Sequence, residues 1–152
     1  MPNSSIRTRK ATKDDLAAIH GLVYELAVYE KEPDALTATL EDYERDFAAG
    51  IFQAIVAEQE DQIVGMALYY MTYSTWKGRM MYLEDFVVTQ SHRQQGIGQL
   101  LFDAFLSVAR EENARLAKWQ VLDWNEPALR FYQKNGASIE TNWWTGKIFL
   151  NN

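Results

Sequence analysis

The most specific chemical signal in the sequence is the segment Arg93-Gln-Gln-Gly-Ile-Gly98, between a predicted strand ending near Val88 and a predicted helix beginning near Ile97. Main-chain amides converge at a helix start, where the helix dipole adds partial positive charge, so a pyrophosphate fits there. Glycine matters because a β-carbon would hold the phosphate away from the amides. A dinucleotide fingerprint would need a third glycine where Leu101 stands, which weakens a nicotinamide or flavin interpretation. The alternative is that the two glycines only shape a turn.

Composition narrows the chemistry that the chain can perform. The absence of cysteine excludes disulfides, cysteine-based zinc sites and a covalent acyl-cysteine intermediate. A net charge of −6 argues against a nucleic-acid partner, which needs clustered Lys and Arg, and two separated histidines, His20 and His92, do not make a metal site. Apolar runs are too short to cross a membrane and the amino terminus lacks a signal-peptide pattern, so we expect a cytoplasmic protein.

Predicted strands and helices alternate along the chain on both sides of the glycine segment. Their pattern and the length of the chain indicate a single domain over residues 1–152. Three β-rich runs, Phe52–Glu58, Gln62–Tyr73 and Arg79–Val88, should form an antiparallel meander. The fold class is α/β, with a mixed, mostly antiparallel central sheet of about six to seven strands and helices on both faces. Further strands are predicted at Ile6–Arg9, Lys118–Asp123, Ala137–Trp143 and Lys147–Leu150, and helices at about 16–26, 40–49, 97–108 and after the cap Asn125.

The glycine segment resembles motif A of the GCN5-related N-acetyltransferases, the GNAT superfamily. Other segments occur in family order over nearly the whole chain and narrow the resemblance to the diamine (spermidine/spermine) and thialysine acetyltransferase branch. The resemblance implies the GNAT fold, acetyl-CoA as donor, the primary amine of a small cationic substrate as acceptor, and a homodimer. The segments are Glu25–Glu30, Ala67–Tyr70, Tyr82–Phe86, Trp124–Pro127, Phe131–Tyr132 and Asn135–Ala137.

The same resemblance implies which residues bind the coenzyme. Amides of the glycine segment would hold its pyrophosphate, and main-chain groups of the preceding strand would hold the pantetheine arm. A further contact would come from the Asn-Glu-Pro motif. The residues are Arg93, Gln94, Gln95, Gly96, Ile97, Gly98 and Gln99 for the pyrophosphate, Phe86, Val87 and Val88 for the pantetheine, and Asn125, Glu126, Pro127 and Ala128 for the further contact.

By resemblance, Tyr132 is the proton donor and Glu84 lies in the amine site. The family's polyamine enzymes carry an acidic pair ahead of the last strand, where this chain has Asn142-Trp-Trp144. That difference leaves a shorter diamine, a lysine analogue or another primary amine open as the substrate. The amine-site residues implied are Tyr29, Glu30, Glu84, Asp85, Lys118, Trp119 and Gln120.

The proposed chemistry assigns roles to two of these residues. A lysine-like ammonium has a pKa of about 10.4 and must lose a proton before it attacks a thioester. Strand alternation predicts that Glu84 shares a face with Tyr82 and Phe86 while Asp85 points the other way. Glu84 would then accept the amine's proton, directly or through water, and Tyr132 would protonate the leaving thiolate. No metal is implied.

Two rival functions remain open. A protein N-acetyltransferase would act on an exposed amino terminus or lysine side chain and would need an open peptide groove. A CoA-binding regulatory module would bind the coenzyme without turnover. The acidic Tyr29-Glu30 beside Glu84 favours a closed amine pocket, and the presence of both Glu84 and Tyr132 favours turnover.

Overall fold

A single five-stranded sheet organises the computed structural model, which describes residues 5–150. The strands run in the order β1-β2-β3-β4-β5, antiparallel throughout except for the parallel pair β4-β5. This mixed, mostly antiparallel sheet confirms the predicted fold class. The strands are β1 (Arg7–Lys10), β2 (Gln53–Gln59), β3 (Gln62–Ser74), β4 (Gly78–Val88) and β5 (Leu116–Lys118).

Local turn chemistry explains the β2-β3 hairpin. Gln59 pairs with Gln62, and the two residues between them, Glu60 and Asp61, have φ of 51° and 64°. Two consecutive left-handed residues give the turn whose twist matches that of the flanking strands. The antiparallel pairing predicted for the runs Phe52–Glu58 and Gln62–Tyr73 is confirmed.

Helices α1 (Leu16–Tyr29), α2 (Leu40–Ala48) and α3 (Ile97–Glu111) accompany the sheet. Thr39 caps α2, with its hydroxyl accepting the N–H of Asp42 at 3.1 Å. Short 3₁₀ turns at Lys13–Asp15, Pro33–Ala35 and Gln90–His92 precede α1, α2 and α3 respectively. The sequence-based helix assignments agree with these elements to within a few residues.

The two faces of the sheet are covered by different helices. On one face, Ile19 of α1 belongs to a buried cluster with Val56 of β2 and Met66 of β3. On the other, Phe105 of α3 packs on Tyr69 of β3 with ring centroids 5.6 Å apart. Neighbouring residues on one strand point to opposite faces, which is why β3 serves both helices.

The chain divides into two compact units with the boundary between Gln120 and Val121. The second unit contains α4 (Glu126–Lys134), which begins at Asn125, whose side chain accepts the N–H of Ala128 at 3.3 Å. The predicted cap at Asn125 is therefore confirmed. Organisation of the whole chain as one domain stays a prediction.

The predicted number of strands was too high. The strand placed near Lys118–Asp123 is the shorter β5, and the structure has no strand among residues 119–150. The strands predicted at Ala137–Trp143 and Lys147–Leu150 are therefore wrong for the described residues. Strand propensity is a local preference, whereas a strand exists only where its main-chain groups pair with a neighbour.

None of the helices within residues 5–150 combines the length and the apolar character that crossing a membrane requires.

Candidate active site

A cavity of about 430 Å³ lies between α1, α2, the connection between them and strands β3 and β4. Its wall is apolar and aromatic, interrupted by five carboxylates. Two of these, Asp42 and Asp46 of α2, form ion pairs with Arg45 at 3.0 and 3.2 Å. The other three are Glu30, Glu84 and Asp85, and the remaining wall is formed by Val23, Leu26, Ala27, Ala35, Leu36, Ala38, Tyr43, Ile51, Phe52, Leu68 and Tyr70.

A β-bulge brings two of these carboxylates together. Asp85 pairs with Leu68, yet Leu83 pairs with Tyr69, so Glu84 is an extra residue in β4. A bulge of this kind interrupts the alternation of side chains along a strand. Glu84 and Asp85 therefore both line the cavity, and the prediction that they point to opposite faces is wrong.

Phe86, expected on the face of Glu84, lies instead on the α3 side of the sheet. Its ring packs against Phe102 of α3 with centroids 5.9 Å apart. The bulge at Glu84 again explains the difference, because alternation restarts beyond the extra residue.

Glu84 is held by an aromatic neighbour, Tyr70, to which the sequence analysis gave no role. The hydroxyl of Tyr70 donates to Oε1 of Glu84 at 2.6 Å, and the Tyr70 ring stacks on Tyr82 at 5.6 Å. Burial and the adjacent Glu84 carboxylate raise the pKa of Tyr70 above its ordinary value. The phenol therefore stays protonated and remains a donor to Glu84 at neutral pH.

Asp85 is the most perturbed carboxyl of the cavity. Burial, followed by repulsion from Glu84 and Glu30, raises its pKa from 3.8 to about 7. Burial also raises the pKa of Glu30. Carboxylates that are desolvated and close to one another favour either a bound proton or a bound cation. The part of the cavity next to these carboxylates therefore suits an ammonium group.

The predicted phosphate loop has the geometry that its sequence indicates. Gly96 caps α3 with φ of 80°, Gln94 is also left-handed at 66°, and no side chain caps this helix start. A β-carbon built on Gly96 meets no atom within 4 Å, so the glycine borders open space, whereas one on Gly98 would meet the Phe86 ring at 3.8 Å. Left-handed turns before a helix make anion-binding concavities, so these residues fit a coenzyme pyrophosphate.

The strand predicted to hold the pantetheine arm leads directly into this loop. β5 pairs with β4 only over Met80–Tyr82, so β4 continues beyond it to Val88. Val87 is buried in the core cluster, and the carbonyl of Val88 accepts Nε of Arg93 at 3.0 Å.

Arg93 and Tyr29, predicted for different binding sites, contact each other. The guanidinium of Arg93 lies 5.3 Å from the centre of the Tyr29 ring, and Nη2 is 3.8 Å from Oε2 of Glu25. Cation–π attraction favours this arrangement. The Arg93 side chain thus braces the loop against α1, and Tyr29 is engaged with it rather than forming part of the cavity wall in the described chain.

Three predicted amine-site residues occur at the end of the first unit. Lys118 ends β5 and pairs with Tyr82. The Trp119 ring packs edge-on against Phe102 of α3 at 5.5 Å. Gln120 follows and is exposed. Among the described residues none of the three lines the cavity.

The second unit carries the remaining predicted residues. Tyr132 lies in α4, is 7% exposed and packs edge-on against Phe131 at 5.6 Å. Glu126 and Pro127 form the first turn of the same helix, directly after its cap. Its end is marked by Asn135, whose side chain donates to the carbonyl of Phe131 at 2.8 Å, and by Gly136 with φ of 88°. The helix that bears Tyr132 therefore begins at the Asn-Glu-Pro motif and ends at the Asn-Gly motif.

Sequence reasoning gave no role to several residues that the structure brings to these sites. Tyr43 and the paired Asp42 and Asp46 line the cavity from α2, and Tyr70 holds Glu84. Tyr70 lies opposite Tyr82 only in the β3-β4 register that the structure shows. Nothing in the sequence indicated that α2 and β4 would line the same cavity, because that arrangement depends on tertiary packing.

The residues described in the structure contain no group of three or more His, Asp or Glu side chains arranged to hold a metal ion.

Comparisons with known proteins agree with this geometry. A family model described as the acetyltransferase (GNAT) family matches residues 14–137. The thialysine N-epsilon-acetyltransferase of Bos taurus is 36% identical over 142 residues, a match that covers 87% of this chain and 84% of that protein. The spermidine/spermine N(1)-acetyltransferase-like protein 1 of Homo sapiens is 34% identical over 147 residues, covering 89% of this chain and 21% of that protein.

A solved structure shows the same fold. The aminoglycoside N-acetyltransferase AAC(6')-Iy, in complex with CoA, matches with a TM-score of 0.77 at 18% identity, covering 96% of this chain and 97% of that one. The resemblance to the diamine and thialysine branch is confirmed by the two relatives. With a family model spanning most of the chain, the protein belongs to the GNAT family and is an acetyltransferase.

Proposed function

We propose that the protein transfers the acetyl group of acetyl-CoA to a primary amine of a small cationic substrate, a diamine, polyamine or lysine analogue, bound in the cavity. The observation that carries the proposal is the presence of Glu30, Glu84 and Asp85, which repel one another, in the wall of a largely apolar and aromatic cavity. An ammonium group offsets their mutual repulsion, and its methylene chain matches the apolar wall.

The names of the relatives support both a lysine analogue and a polyamine as substrates within this class. Relatives from Bos taurus and Homo sapiens are named for thialysine and for spermidine and spermine respectively. Asp42 and Asp46 give the cavity wall further negative charge, although Arg45 balances part of it. A substrate with a second charged group has oppositely charged partners there.

The coenzyme supplies an activated acetyl thioester when bound. The loop residues Arg93–Gln99 would hold its pyrophosphate with main-chain amides. Gly96 at the start of α3 has no side chain, so no side-chain cap occupies the amides there. Main-chain groups of Phe86–Val88 would hold the pantetheine arm. The Asn125–Ala128 motif is a further proposed contact, supported by the family resemblance.

The carboxylate pair at the bulge is proposed to take the proton from the bound ammonium. Glu84, directly or through water, was the acceptor indicated by the sequence, and the structure adds Asp85 beside it. A base works best when its pKa is near the working pH, and burial raises the pKa of Asp85 to about 7. Tyr132 is proposed as the donor that protonates the leaving sulfur, on the strength of its place in the family motif.

A homodimer is part of the proposal. Several large apolar side chains near the carboxyl end of the described chain are exposed, and such surface commonly marks an interface. They include Trp143, Trp144, Ile148, Phe149 and Leu150.

Thiol release from acetyl-CoA tests the proposed function. The acceptors are thialysine, L-lysine, L-ornithine, a short diamine, spermidine, a monoamine of similar length that lacks the second charged group, and a lysine-containing peptide. We expect turnover with the small dications and lysine analogues and at least about tenfold lower kcat/KM with the monoamine. Turnover with the peptide alone would favour a protein acetyltransferase, and CoA binding without turnover on any acceptor would favour a regulatory module.

A further inference from the structure

The carboxylate of Glu25, in the third turn of α1, joins this helix to the start of the phosphate loop. Its Oε1 accepts the hydroxyl of Thr89 at 2.9 Å, and its Oε2 accepts the main-chain N–H of Gln90 at 2.9 Å. Oε2 is also 3.8 Å from Nη2 of Arg93. Both oxygens of one side chain are thus engaged by the segment that connects β4 to α3.

Arg93 extends this connection in two further directions. Its Nε donates to the carbonyl of Val88 at 3.0 Å, and its guanidinium lies over the Tyr29 ring at 5.3 Å. Glu25 and Tyr29 are one helical turn apart on α1, so they lie on the same face of the helix. The loop is therefore fixed at its entry, at Thr89 and Gln90, and again at Arg93.

The loop benefits from such fixing because its outer part is exposed to solvent. Arg93, Gln94, Gln95 and Gly96 are exposed, and Gln94 adopts a left-handed conformation that is unfavourable for a residue with a β-carbon. A mobile loop would lose conformational entropy on binding an anion, and this cost would reduce the affinity. A loop that is ordered beforehand avoids that cost.

We propose that Glu25 is a positioning residue that holds the phosphate loop against α1 in its coenzyme-binding conformation. The identity of the ligand as a coenzyme rests on the proposed function. The hydrogen bonds that join Glu25 to Thr89 and Gln90 do not depend on it. Because α1 also contributes Leu26, Ala27 and Glu30 to the cavity wall, Glu25 sets the loop relative to the helix that forms the amine site.

The first test follows the loop in the protein without coenzyme. In Glu25→Gln the side chain is neutral, so its charge-assisted hydrogen bonds with Thr89 and Gln90 become weaker neutral ones and the attraction to Arg93 is lost. Hydrogen exchange of the amides of Gln90, His92 and Arg93, which donate hydrogen bonds in this segment, should become at least about tenfold faster, as expected when a hydrogen bond to a charged group is weakened. Glu44→Gln, which removes one exposed carboxylate from α2, is the charge-matched control and should exchange like the wild type.

The second test measures binding and turnover. Calorimetry with CoA should show a Kd about tenfold higher for Glu25→Gln than for Glu44→Gln, and the KM for acetyl-CoA should rise in parallel while kcat at saturation stays within about twofold. General destabilisation would not separate KM from kcat in this way. Thr89→Val removes one of the two hydrogen bonds without altering α1 and should give a smaller change of the same sign.

The outcomes distinguish this proposal from the proposed function. Absence of acetyl transfer to any amine would overturn the proposed function and leave the exchange and CoA-binding measurements as tests of Glu25. Loop exchange and CoA affinity in both Glu25→Gln and Thr89→Val within about twofold of wild type would overturn the role of Glu25.

Discussion

The hydroxyl of Tyr70 donates to the carboxylate of Glu84 at 2.6 Å, across the β-bulge that adds Glu84 to β4. The bond fixes the orientation of a side chain that the bulge has already turned into the cavity. The phenol orients one carboxylate oxygen and so holds the side chain toward the ammonium that the cavity is proposed to bind.

Removing the Tyr70 hydroxyl should therefore weaken amine use without affecting the coenzyme. For Tyr70→Phe we expect kcat/KM for the amine to fall about tenfold, the value of a hydrogen bond to a charged group, with Kd for CoA unchanged. Tyr82→Phe keeps the stacked ring pair and serves as the control for loss of a phenol. Equal activity of Tyr70→Phe and wild type would contradict a positioning role for the phenol.

The free energy of unfolding should depend on pH through Asp85. Burial and the neighbouring Glu84 and Glu30 carboxylates raise its pKa from 3.8 to about 7 in the folded protein. Between these values the folded state binds more protons than the unfolded state, so this contribution to stability is complete at low pH and is lost as the pH rises toward 7.

Urea unfolding of wild type and Asp85→Asn from about pH 5 to pH 8 measures this contribution. The variant lacks the titrating group, so its stability relative to wild type should increase as the pH rises. Stability curves that run parallel over the whole range would show that Asp85 has an ordinary pKa.

The two glycines of the phosphate loop should differ in their tolerance of alanine. Gly96 has φ of 80°, where a β-carbon costs about 1–2 kcal/mol, so Gly96→Ala should lower the free energy of unfolding by that amount and weaken CoA binding. A β-carbon on Gly98 makes an ordinary 3.8 Å contact with Phe86, so Gly98→Ala should leave stability within about 0.5 kcal/mol of wild type. Urea unfolding and CoA calorimetry on both variants check this, and equal losses in the two would contradict it.

Tyr132→Phe tests the proposed proton donor. We expect kcat to fall by about 100-fold or more, the typical contribution of a general acid, while Kd for CoA stays within about twofold. Tyr73→Phe, at a tyrosine that is 70% exposed, is the control. A kcat in Tyr132→Phe that matches the control would remove Tyr132 from the mechanism.

Turns and helix starts that depend on a few neighbouring residues could be predicted from the sequence. The strand, loop and helix around Gly96 follow from glycine placement, and the start of α4 follows from the side chain of Asn125. The turn at Glu60-Asp61 belongs to the same class. In each case the residues that determine the conformation lie within a few positions of one another, so tertiary context changes little.

Features that depend on pairing between distant segments could not be predicted. The bulge at Glu84 exists only in the register of β4 with Leu68 and Tyr69 of β3, and a shift of one residue reverses the face of every side chain beyond it. The pairing of Glu25 with Thr89 and Gln90 spans 64 and 65 residues. The segment Lys147–Leu150 has an apolar, strand-like pattern, but it pairs with no strand in the structure.

The proposed amine site depends on the carboxylate pair at the bulge, and a comparison of two double variants tests that dependence. The double variant Glu84→Gln with Asp85→Asn is measured beside Glu111→Gln with Glu112→Gln, which removes two adjacent exposed carboxylates at the end of α3. With acetyl-CoA saturating, kcat/KM for thialysine or a diamine should fall at least about 1,000-fold in the first and stay within about twofold of wild type in the second. Equal kcat/KM in the two double variants would contradict the assignment of this cavity as the amine site.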